Sequence, residues 1–382
     1  MMLRFATQRY SCQQCGRCCR RFLVPVSRLE IEAISKLPWE KGSDQRARCY
    51  DVLGGASYLK KDPQTGECAF LENGTQCRMH AAFGGKCKTI SCRAYPFEFM
   101  RTFDDEITCA VRFDCPAVQQ NAGEKLIAYR GDVEELLADP LMPSLAAPVN
   151  PLLMDGLTRQ ALEIIADFLK ESLLATDVPV PALALMAVRL QKLGCTFLND
   201  LETLRTVLPS MREKAAKETA GIFEIGKTWP ERTQLRRTML ECLKLDRQLP
   251  DFSLGFRIRQ MALAAGILCG GGNPRNFGPE QPSVAIRRAK LFDNACWKCE
   301  ADAWATYRRC LAVRLESRQF FASAYYQKGF FEGLQALFNT WKPAILLARL
   351  HAAETHPESI CRADVDYATG LLDHCHGRRV RL

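Results

Sequence analysis

The sequence predicts a mainly α protein, in which a small, irregular, cysteine-rich metal-binding domain is followed by an all-α helical domain. Eleven of the nineteen cysteines lie within the first 115 of the 382 residues. From residue 124 onward, long stretches carry apolar residues near positions i, i+3, i+4 and i+7, as amphipathic helices do. A single core stops growing at about 250–300 residues. We therefore expect two domains, a cysteine-cluster domain over residues 1–120 and a helical domain over residues 121–382.

Few regular elements are predicted in the cysteine-rich part. Ser27-Arg28-Leu29-Glu30 has the pattern of a capping box, which predicts a helix that begins after Ser27 and ends at Pro38. Residues 42–63 are predicted to form a loop, because two adjacent glycines interrupt them. Alternating β-forming and polar residues predict a short strand over Ile107–Phe113.

Helical periods fill the second part of the chain, and most of its prolines, Pro209 among them, are expected to separate helices. The aromatic residues of the series from Phe320 to Phe338 are expected to form a helix core. The predicted helices are Glu124–Ala138, Leu152–Leu174, Ala182–Leu193, Phe197–Thr219, Gln234–Leu245, Leu254–Leu268, Val284–Glu316, Phe320–Asn339, Pro343–Ala353 and Val365–Leu372.

Charge and hydropathy exclude several classes of protein. The net charge of +9 is spread along the chain without a basic block, so we expect no specific nucleic-acid partner. No run approaches the roughly 18 apolar residues of a membrane span. Met1 to Tyr10 lack the apolar segment of a secretory signal, which predicts a cytoplasmic location. In that reducing compartment, clustered cysteines indicate metal binding rather than disulfides.

The first cysteine cluster is Cys12-x2-Cys15-x2-Cys18-Cys19. Thiolates two residues apart on a tight turn can bind one metal ion, and a third extends the site, as in ferredoxin loops. Adjacent side chains diverge in most backbone conformations. We therefore expect Cys18 and Cys19 to bind different metals, or one of them to lie beside the site without binding.

Four isolated cysteines complete the predicted ligand set: Cys68, Cys77, Cys92 and Cys115. A cysteine that precedes a proline, far from a C-x2-C-x2-C loop, completes clusters in bacterial ferredoxins, and Cys115-Pro116 has that pattern. Eight thiolates could form two four-ligand sites, or one cluster surrounded by further thiols. Other isolated cysteines, such as Cys87 and Cys195, are expected to be small buried hydrophobic residues.

Five ordered motifs resemble a known family. They are Cys-x2-Cys-Gly-x-Cys-Cys at 12–19, Cys-x-Phe-Leu at 68–71, Cys-x2-His at 77–80, Cys-Arg-x-Tyr-Pro-Phe at 92–97 and Cys-Pro at 115–116. This pattern is similar to that of the CxxCxxCC cysteine-cluster family, also described as a zinc- or iron-chelating domain. The family includes many bacterial proteins and the flagellin lysine-N-methylases. The resemblance covers roughly the first 120 residues.

The resemblance implies a bound metal, either zinc or an iron–sulfur cluster of the 4Fe-4S type. Its ligand positions fall on Cys12, Cys15, Cys18, Cys19, Cys68, Cys77, Cys92 and Cys115, and its other signature positions on His80, Arg93 and Pro96. One departure is Lys86-Cys87, where the family commonly has a Lys/Arg-Pro pair.

In its methylase branch, the resemblance also implies a protein-lysine N-methyltransferase that uses S-adenosylmethionine and acts on a protein such as flagellin. Neither a Rossmann G-x-G-x-x-G fingerprint nor the radical S-adenosylmethionine signature C-x3-C-x2-C occurs in the chain. No catalytic or donor-binding residue can be named from the sequence. The alternatives are a non-enzymatic chelating protein and an iron–sulfur redox protein.

Several weaker signals remain to be interpreted. His80 could bind metal, donate to a cluster sulfur or simply pack beside Cys77. Arg93 could neutralise an anionic cluster or form a surface ion pair. Cys296-x2-Cys299 lies in a predicted helix, where both cysteines would face the core. His374-Cys375-His376 is expected to be a polar tail.

Overall fold

A computed structural model describes residues 2–39, 50–53, 56–62, 65–103, 106–145, 148–175, 178–220, 224–246, 254–278, 281–300, 302–325 and 327–375. The protein is mainly helical, which confirms the predicted fold class at that level. No helix in these ranges is long and apolar enough to cross a lipid bilayer. Below, residues 2–120 are called the cysteine-rich region and residues 121–375 the helical region.

The strands are short, and most lie in the cysteine-rich region. The strands are β1 (Met2–Phe5), β2 (Arg9–Tyr10), β3 (Tyr50–Leu53), β4 (Ala56–Leu59), β5 (Leu71–Glu72), β6 (Gln76–Cys77), β7 (Phe97–Phe103), β8 (Glu106–Val111), β9 (Glu124–Lys125), β10 (Lys298–Cys299) and β11 (Ser359–Ile360). Strand β8 pairs in parallel with β1 and antiparallel with β7 to form a three-stranded sheet, and the other strands form pairs.

Short helices connect the strands of the cysteine-rich region, and longer helices form the rest of the chain. The helices are α1 (Arg17–Arg21), α2 (Arg28–Ser35), α3 (Arg78–Phe83), α4 (Ile90–Ala94), α5 (Pro116–Gln120), α6 (Arg130–Ala138), α7 (Arg159–Leu174), α8 (Val180–Leu193), α9 (Cys195–Leu198), α10 (Leu201–Glu218), α11 (Trp229–Asp246), α12 (Leu254–Leu268), α13 (Ala305–Glu316), α14 (Phe330–Asn339), α15 (Trp341–Thr355) and α16 (Arg362–Cys375).

The predicted helix after Ser27 is confirmed. The Ser27 hydroxyl accepts from the backbone N–H of Glu30, and the Glu30 carboxylate accepts from the backbone N–H of Ser27. This is the reciprocal capping box that satisfies two otherwise free donors at a helix start. The predicted strand at Ile107 corresponds to β8, which is buried along its whole length rather than on alternate residues.

One end of the three-stranded sheet gathers the cysteine motifs. Because β7 and β8 are antiparallel, Phe97 at the start of β7 faces Val111 at the end of β8. Cys92 precedes β7 and Cys115 follows β8, so the two cysteines flank the same end. The carboxyl end of β1 also lies there, since Phe5 pairs with Cys109 in the parallel ladder. The chain then continues through β2 into the first cysteine cluster.

The helical region has a large continuous apolar core. Its deepest members include Ile165 and Leu169 of α7, Met186 of α8 and Leu346 of α15, none of which is accessible to solvent. By contrast, the apolar cluster next to the first cysteines has only five fully buried members: Val26, Ile34, Leu59, Phe70 and Met79.

The aromatic series is core, as expected, although only its second half is helical. Phe330 and Phe338 lie on α14, whereas Phe320 and Phe321 precede it in turns. All four rings are buried, and those of Phe320, Phe321 and Phe330 contact one another with centroids 5.0–5.6 Å apart. Tertiary packing therefore buries these residues without requiring a single helix.

The predicted helix over Val284–Glu316 is wrong in its first half, because only α13 is helical there. Upstream, Trp297 donates its indole N–H to the carbonyl of Lys290, and β10 pairs in parallel with the distant β11. These long-range contacts replace the helical hydrogen bonds. Cys299 is consequently exposed and Cys296 half-buried, so neither is the core cysteine that the helical pattern predicts.

Three smaller predictions also need correction. Residues 50–59, predicted as loop, contain the hairpin of β3 and β4, while residues 40–49 and 54–55 lie outside the described part. Pro209 lies inside α10 rather than between helices. His374 and Cys375 are buried on α16 instead of forming a polar tail, and His376 is outside the described residues.

Candidate metal centre

The eight predicted ligand cysteines line two adjoining cavities. The outer cavity, of about 400 Å³, is lined by Cys12, Cys15, Cys18, Cys19, Cys77, Cys92 and Cys115. The inner cavity, of about 380 Å³, is lined by Cys18, Cys19, Cys68, Cys77 and Cys92. Four thiols therefore border both spaces. Residues separated by up to 103 positions in the chain are brought together in this way.

All of these cysteines carry free thiols. None of the eight takes part in a disulfide, so the crowded sulfurs form no disulfide framework. Cys87 and Cys109, which were not among the predicted ligands, line neither cavity. The Cys87 thiol instead donates to the carbonyl of Phe83, and Cys109 is buried within the sheet.

The loop that carries Cys12 to Cys19 is held by Gly16 and Arg20. Gly16 has φ of 67°, and a Cβ there would lie 2.3 Å from the carbonyl oxygen of Gly74. Glycine is therefore required both for the left-handed backbone and for the close approach. The Arg20 guanidinium donates to the carbonyls of Gly74 and Cys15, at 2.6 and 2.8 Å. These bonds connect the first cluster to the turn before Cys77.

Cys68 and Cys77 are positioned by backbone hydrogen bonds. The N–H of Cys68 donates to the carbonyl of Cys19 at 3.0 Å, which joins the two segments directly. Cys77 ends β6, where it pairs with Leu71 of β5. The β5–β6 hairpin thus carries Cys77 back toward the first cluster, and α3 begins at the next residue.

Cys92 and Cys115 both lie in the first turn or at the cap of a short helix. Thr89 caps α4, and its hydroxyl accepts from the N–H of Cys92. Cys115 occupies the N-cap position of α5, with Pro116 as the first helical residue. The backbone N–H groups of Ala117 and Val118 face the Cys115 sulfur and favour its thiolate, although burial outweighs them and raises the pKa.

The Cys18 and Cys19 sulfurs are 3.9 Å apart on the single turn of α1. The expectation that these adjacent side chains diverge is therefore wrong, because the helical turn directs both thiols to the same space. Ligand sulfurs of one tetrahedral zinc ion are about 3.8 Å apart, given a Zn–S bond of about 2.3 Å. In a four-iron cluster each iron takes one cysteine, so both members of this pair could bind the same cluster only through different irons.

The remaining sulfurs are more widely spaced. Among the described residues, no three of the eight cysteines have sulfurs that all lie within 4.8 Å of one another. A mononuclear thiolate site needs four such sulfurs together. The arrangement instead surrounds a space large enough for a multinuclear cluster.

Lys88 is the cation among the thiols, and the sequence pattern did not single it out. It lines both cavities. Burial alone would lower the pKa of Lys88, but the negative charges of Cys92, Cys77 and the first cluster raise it above its ordinary value. In the sequence, Lys88 lies four residues before Cys92, just ahead of α4, and this spacing is the signal that could have indicated its place beside the thiols. Lys88 thus stays charged and offsets part of the thiolate charge.

The thiols differ in their tendency to ionise. The hydrogen bond with Cys19, assisted by Lys88, lowers the pKa of Cys18 below that of an ordinary thiol despite burial. Burial raises the pKa of Cys68 to about 12, and that of Cys92 and Cys115 to about 11. A bound cation would have to displace protons from these three, as metal binding to thiols ordinarily does.

The other signature residues have different roles. Arg93 lines the outer cavity, but its guanidinium pairs with Glu135 and Asp139 at 3.0 and 2.9 Å. Of the two interpretations of Arg93, these contacts match the ion pair. His80 is exposed at the rim of the same cavity. Tyr95 borders both cavities, and Pro96 follows a cis peptide bond.

A buried polar network connects the site to the last helix. The Asp114 carboxylate, next to Cys115, pairs with Arg112 at 2.6 Å and with His374 Nδ1 at 3.1 Å. The backbone N–H of Phe113 donates to Asp373, which also pairs with Arg314. The segment that presents Cys115 is therefore attached to α13 and α16 of the helical region.

Comparison of the chain with known protein families, with curated proteins and with solved structures finds no match. The resemblance to the CxxCxxCC cysteine-cluster family accordingly remains a prediction from the five motifs, and the function has to be argued from the geometry of the site.

Proposed function

We propose that the cysteine-rich region binds an iron–sulfur cluster through thiolates of the two adjoining cavities. The observation that carries this proposal is the convergence of eight thiols, from five separate segments, on two adjoining cavities beside Lys88. Soft thiolate donors select iron–sulfur clusters, zinc or Cu(I) over hard cations. The free thiols also suit a reducing compartment, so we place the protein in the cytoplasm.

Spacing supports an iron–sulfur cluster over mononuclear zinc. The Cys18–Cys19 pair has the separation of two ligands of one zinc ion, but among the described residues no third cysteine sulfur lies within 4.8 Å of both. A multinuclear cluster spans a larger volume, which the cavities of about 400 and 380 Å³ provide. The positive charge of Lys88 would favour the anionic assembly of thiolates and inorganic sulfide.

The test is purification without oxygen, followed by iron, zinc and acid-labile sulfide analysis and an absorption spectrum. We expect a brown protein with iron and sulfide in similar amounts. A colourless protein with only zinc would contradict the iron–sulfur cluster and favour the alternative of a zinc-chelating protein. Reversible bleaching by dithionite, without binding of a methyl donor, would favour the redox alternative.

As the enzymatic function of this site we propose protein-lysine N-methylation. Besides the resemblance, one observation favours it: Asp132 lines the outer cavity, together with the aromatic residues Tyr10, Tyr129 and Phe97. Acidic residues attract a lysine ammonium group, and cavities of about 300–1,000 Å³ hold small cofactors. In the reaction, the neutral lysine nitrogen attacks the methyl carbon of S-adenosylmethionine, the carbon–sulfur bond breaks, and the lysine proton passes to solvent.

Calorimetry with S-adenosylmethionine and a methyl-transfer assay on flagellin test this enzymatic function. Saturable donor binding and methylated lysines are expected from the metal-loaded protein. Activity should rise with pH toward the reference value of the lysine amine, about 10.4, since only the neutral amine attacks. A metal-loaded protein that binds no donor would contradict the methylase proposal while leaving the metal centre untouched.

A further inference from the structure

A second group of metal-binding side chains lies far from the cysteine cavities in sequence. The ligand atoms of His356, Cys361 and Asp364 all lie within 4.8 Å of one another. Their donors are an imidazole nitrogen, a thiol sulfur and a carboxylate oxygen, the set that zinc prefers. The three residues lie within a nine-residue stretch, but the sequence pattern did not single them out, because Cys361 has no second cysteine nearby.

The group sits where two helices of the core meet. His356 follows the last residue of α15, and Cys361 immediately precedes α16. Between them, β11 pairs in parallel with β10 and fixes the loop. The donors are therefore mounted on the ends of rigid elements, as a preorganised site requires.

Asp364 is the centre of the group. Its side chain is inaccessible to solvent, and its carboxylate contacts His351, His356 and the backbone of Cys361. One oxygen contacts His351 Nδ1 at 2.6 Å; the other contacts His356 Nε2 at 2.7 Å and the N–H of Cys361 at 2.8 Å. A buried anion held by two imidazoles is an environment in which a cation can replace a shared proton.

The imidazoles are oriented for this exchange. His356 Nδ1 lies 2.7 Å from the hydroxyl of Thr355, so Nε2 is the nitrogen that faces Asp364 and Cys361. His351 stacks on the ring of Tyr367, with centroids 4.6 Å apart, and holds the far side of the Asp364 carboxylate. Outer contacts of this kind fix the tautomer and the direction of metal-binding groups.

Another thiol lies beside the group. Cys299 is paired in register with Ile360, the residue before Cys361, and the charge of Asp364 acts on it. Its sulfur accepts from the indole N–H of Trp304 at 3.0 Å and is exposed to solvent. Cys299 is not one of the three donors that lie within 4.8 Å of one another, so the fourth position of a tetrahedral ion there would fall to water.

We propose that His356, Cys361 and Asp364 form a mononuclear site for a divalent cation of the zinc class, separate from the cysteine cavities. His351 acts as a positioning residue through Asp364. The ion would fasten the junction of α15 and α16. Because α16 carries Asp373 and His374, which contact Phe113 and Asp114 beside Cys115, the site would also steady the helix behind the outer cavity.

Zinc stoichiometry of the full-length protein tests the proposal. Wild type, His356→Ala, Cys361→Ser and the control Cys296→Ser are purified identically without oxygen, equilibrated with Zn²⁺ and analysed for zinc and iron by mass spectrometry. We expect wild type and Cys296→Ser to hold one more zinc per chain than His356→Ala and Cys361→Ser, with iron unchanged. His351→Ala should keep the site but weaken zinc binding by about 10–100-fold.

Equal zinc in wild type and in folded Cys361→Ser protein would overturn the proposal, as would an equal loss in Cys296→Ser. If the His356→Ala protein does not fold, Asp364→Asn serves as the near-isosteric variant. A second readout is thermal: Zn²⁺ should raise the Tm of wild type but not that of Cys361→Ser. An identical Tm shift in both proteins would likewise contradict the site.

Discussion

The cysteine-rich and helical regions achieve order in different ways. In the helical region, α7, α8, α14 and α15 bury a continuous set of side chains with no accessible surface. In the cysteine-rich region, the buried apolar residues form smaller clusters, one of which includes Cys115, and the segments that carry the thiols are short strands, turns and single-turn helices. We therefore expect apolar burial alone to stabilise the helical region, and bound metal to contribute to the stability of the cysteine-rich region.

Metal removal should produce the largest difference in stability between the two regions. A chelator under reducing conditions is expected to unfold the segments around Cys15, Cys77 and Cys92, because the binding free energy of a structural metal is also folding free energy, up to about 10–16 kcal/mol in zinc peptides. Helix α7 should keep its protection, since its core involves neither the thiols of the cavities nor the group around Asp364. Hydrogen exchange with mass spectrometry measures both, and equal loss of protection would contradict the distinction.

Single cysteine substitutions should distinguish the cysteines that bind metal from those that do not. Cys15→Ser and Cys92→Ser are expected to lose metal, because both thiols line the outer cavity. Cys87→Ser and Cys195→Ser are matched controls that should retain it, as their thiols line neither cavity. Metal content per chain after anaerobic purification is the measurement. Similar losses in both pairs would show that the ligands are assigned wrongly.

A core truncation should affect the helical region alone. Leu169→Ala on α7 removes a fully buried side chain, and we expect a loss of about 2–5 kcal/mol in the free energy of unfolding of that region. Leu174→Ala, on the same helix but 58% exposed, should cost much less. Denaturant titration by circular dichroism gives the difference. Loss of metal from the Leu169→Ala protein before its helices unfold would argue against separate sources of stability.

The smallest expected effect concerns the cap of α2. Ser27→Ala removes the hydroxyl that accepts from Glu30 and should cost about 1 kcal/mol. Because the helix packs in the small apolar cluster beside the thiols, the loss should show as faster metal release to a chelator. Ser35→Ala, at the other end of α2, is the control. Identical release from both variants would mean that α2 does not support the site.

Sequence reasoning predicted those parts of the molecule that local patterns determine. The capping box fixed the start of α2, β-forming residues indicated β8, and cysteine spacing selected eight residues that the fold gathers around two cavities. It did not single out Lys88, although that lysine lies four residues before Cys92. It also misplaced Cys296 and Cys299 on a helix, because the pairing of β10 with β11 joins segments 61 residues apart. The group around Asp364 was missed although its members are close in sequence, because Cys361 has no second cysteine nearby.

X-ray absorption of the anaerobic protein at the iron and zinc edges tests the central claim most directly. The account predicts iron surrounded by sulfur alone, with iron–iron contacts of a multinuclear cluster, and a spectrum that Cys15→Ser abolishes and Cys87→Ser leaves unchanged. Absence of iron in a folded protein, or iron bound by oxygen and nitrogen, would contradict an iron–sulfur cluster in the cysteine cavities.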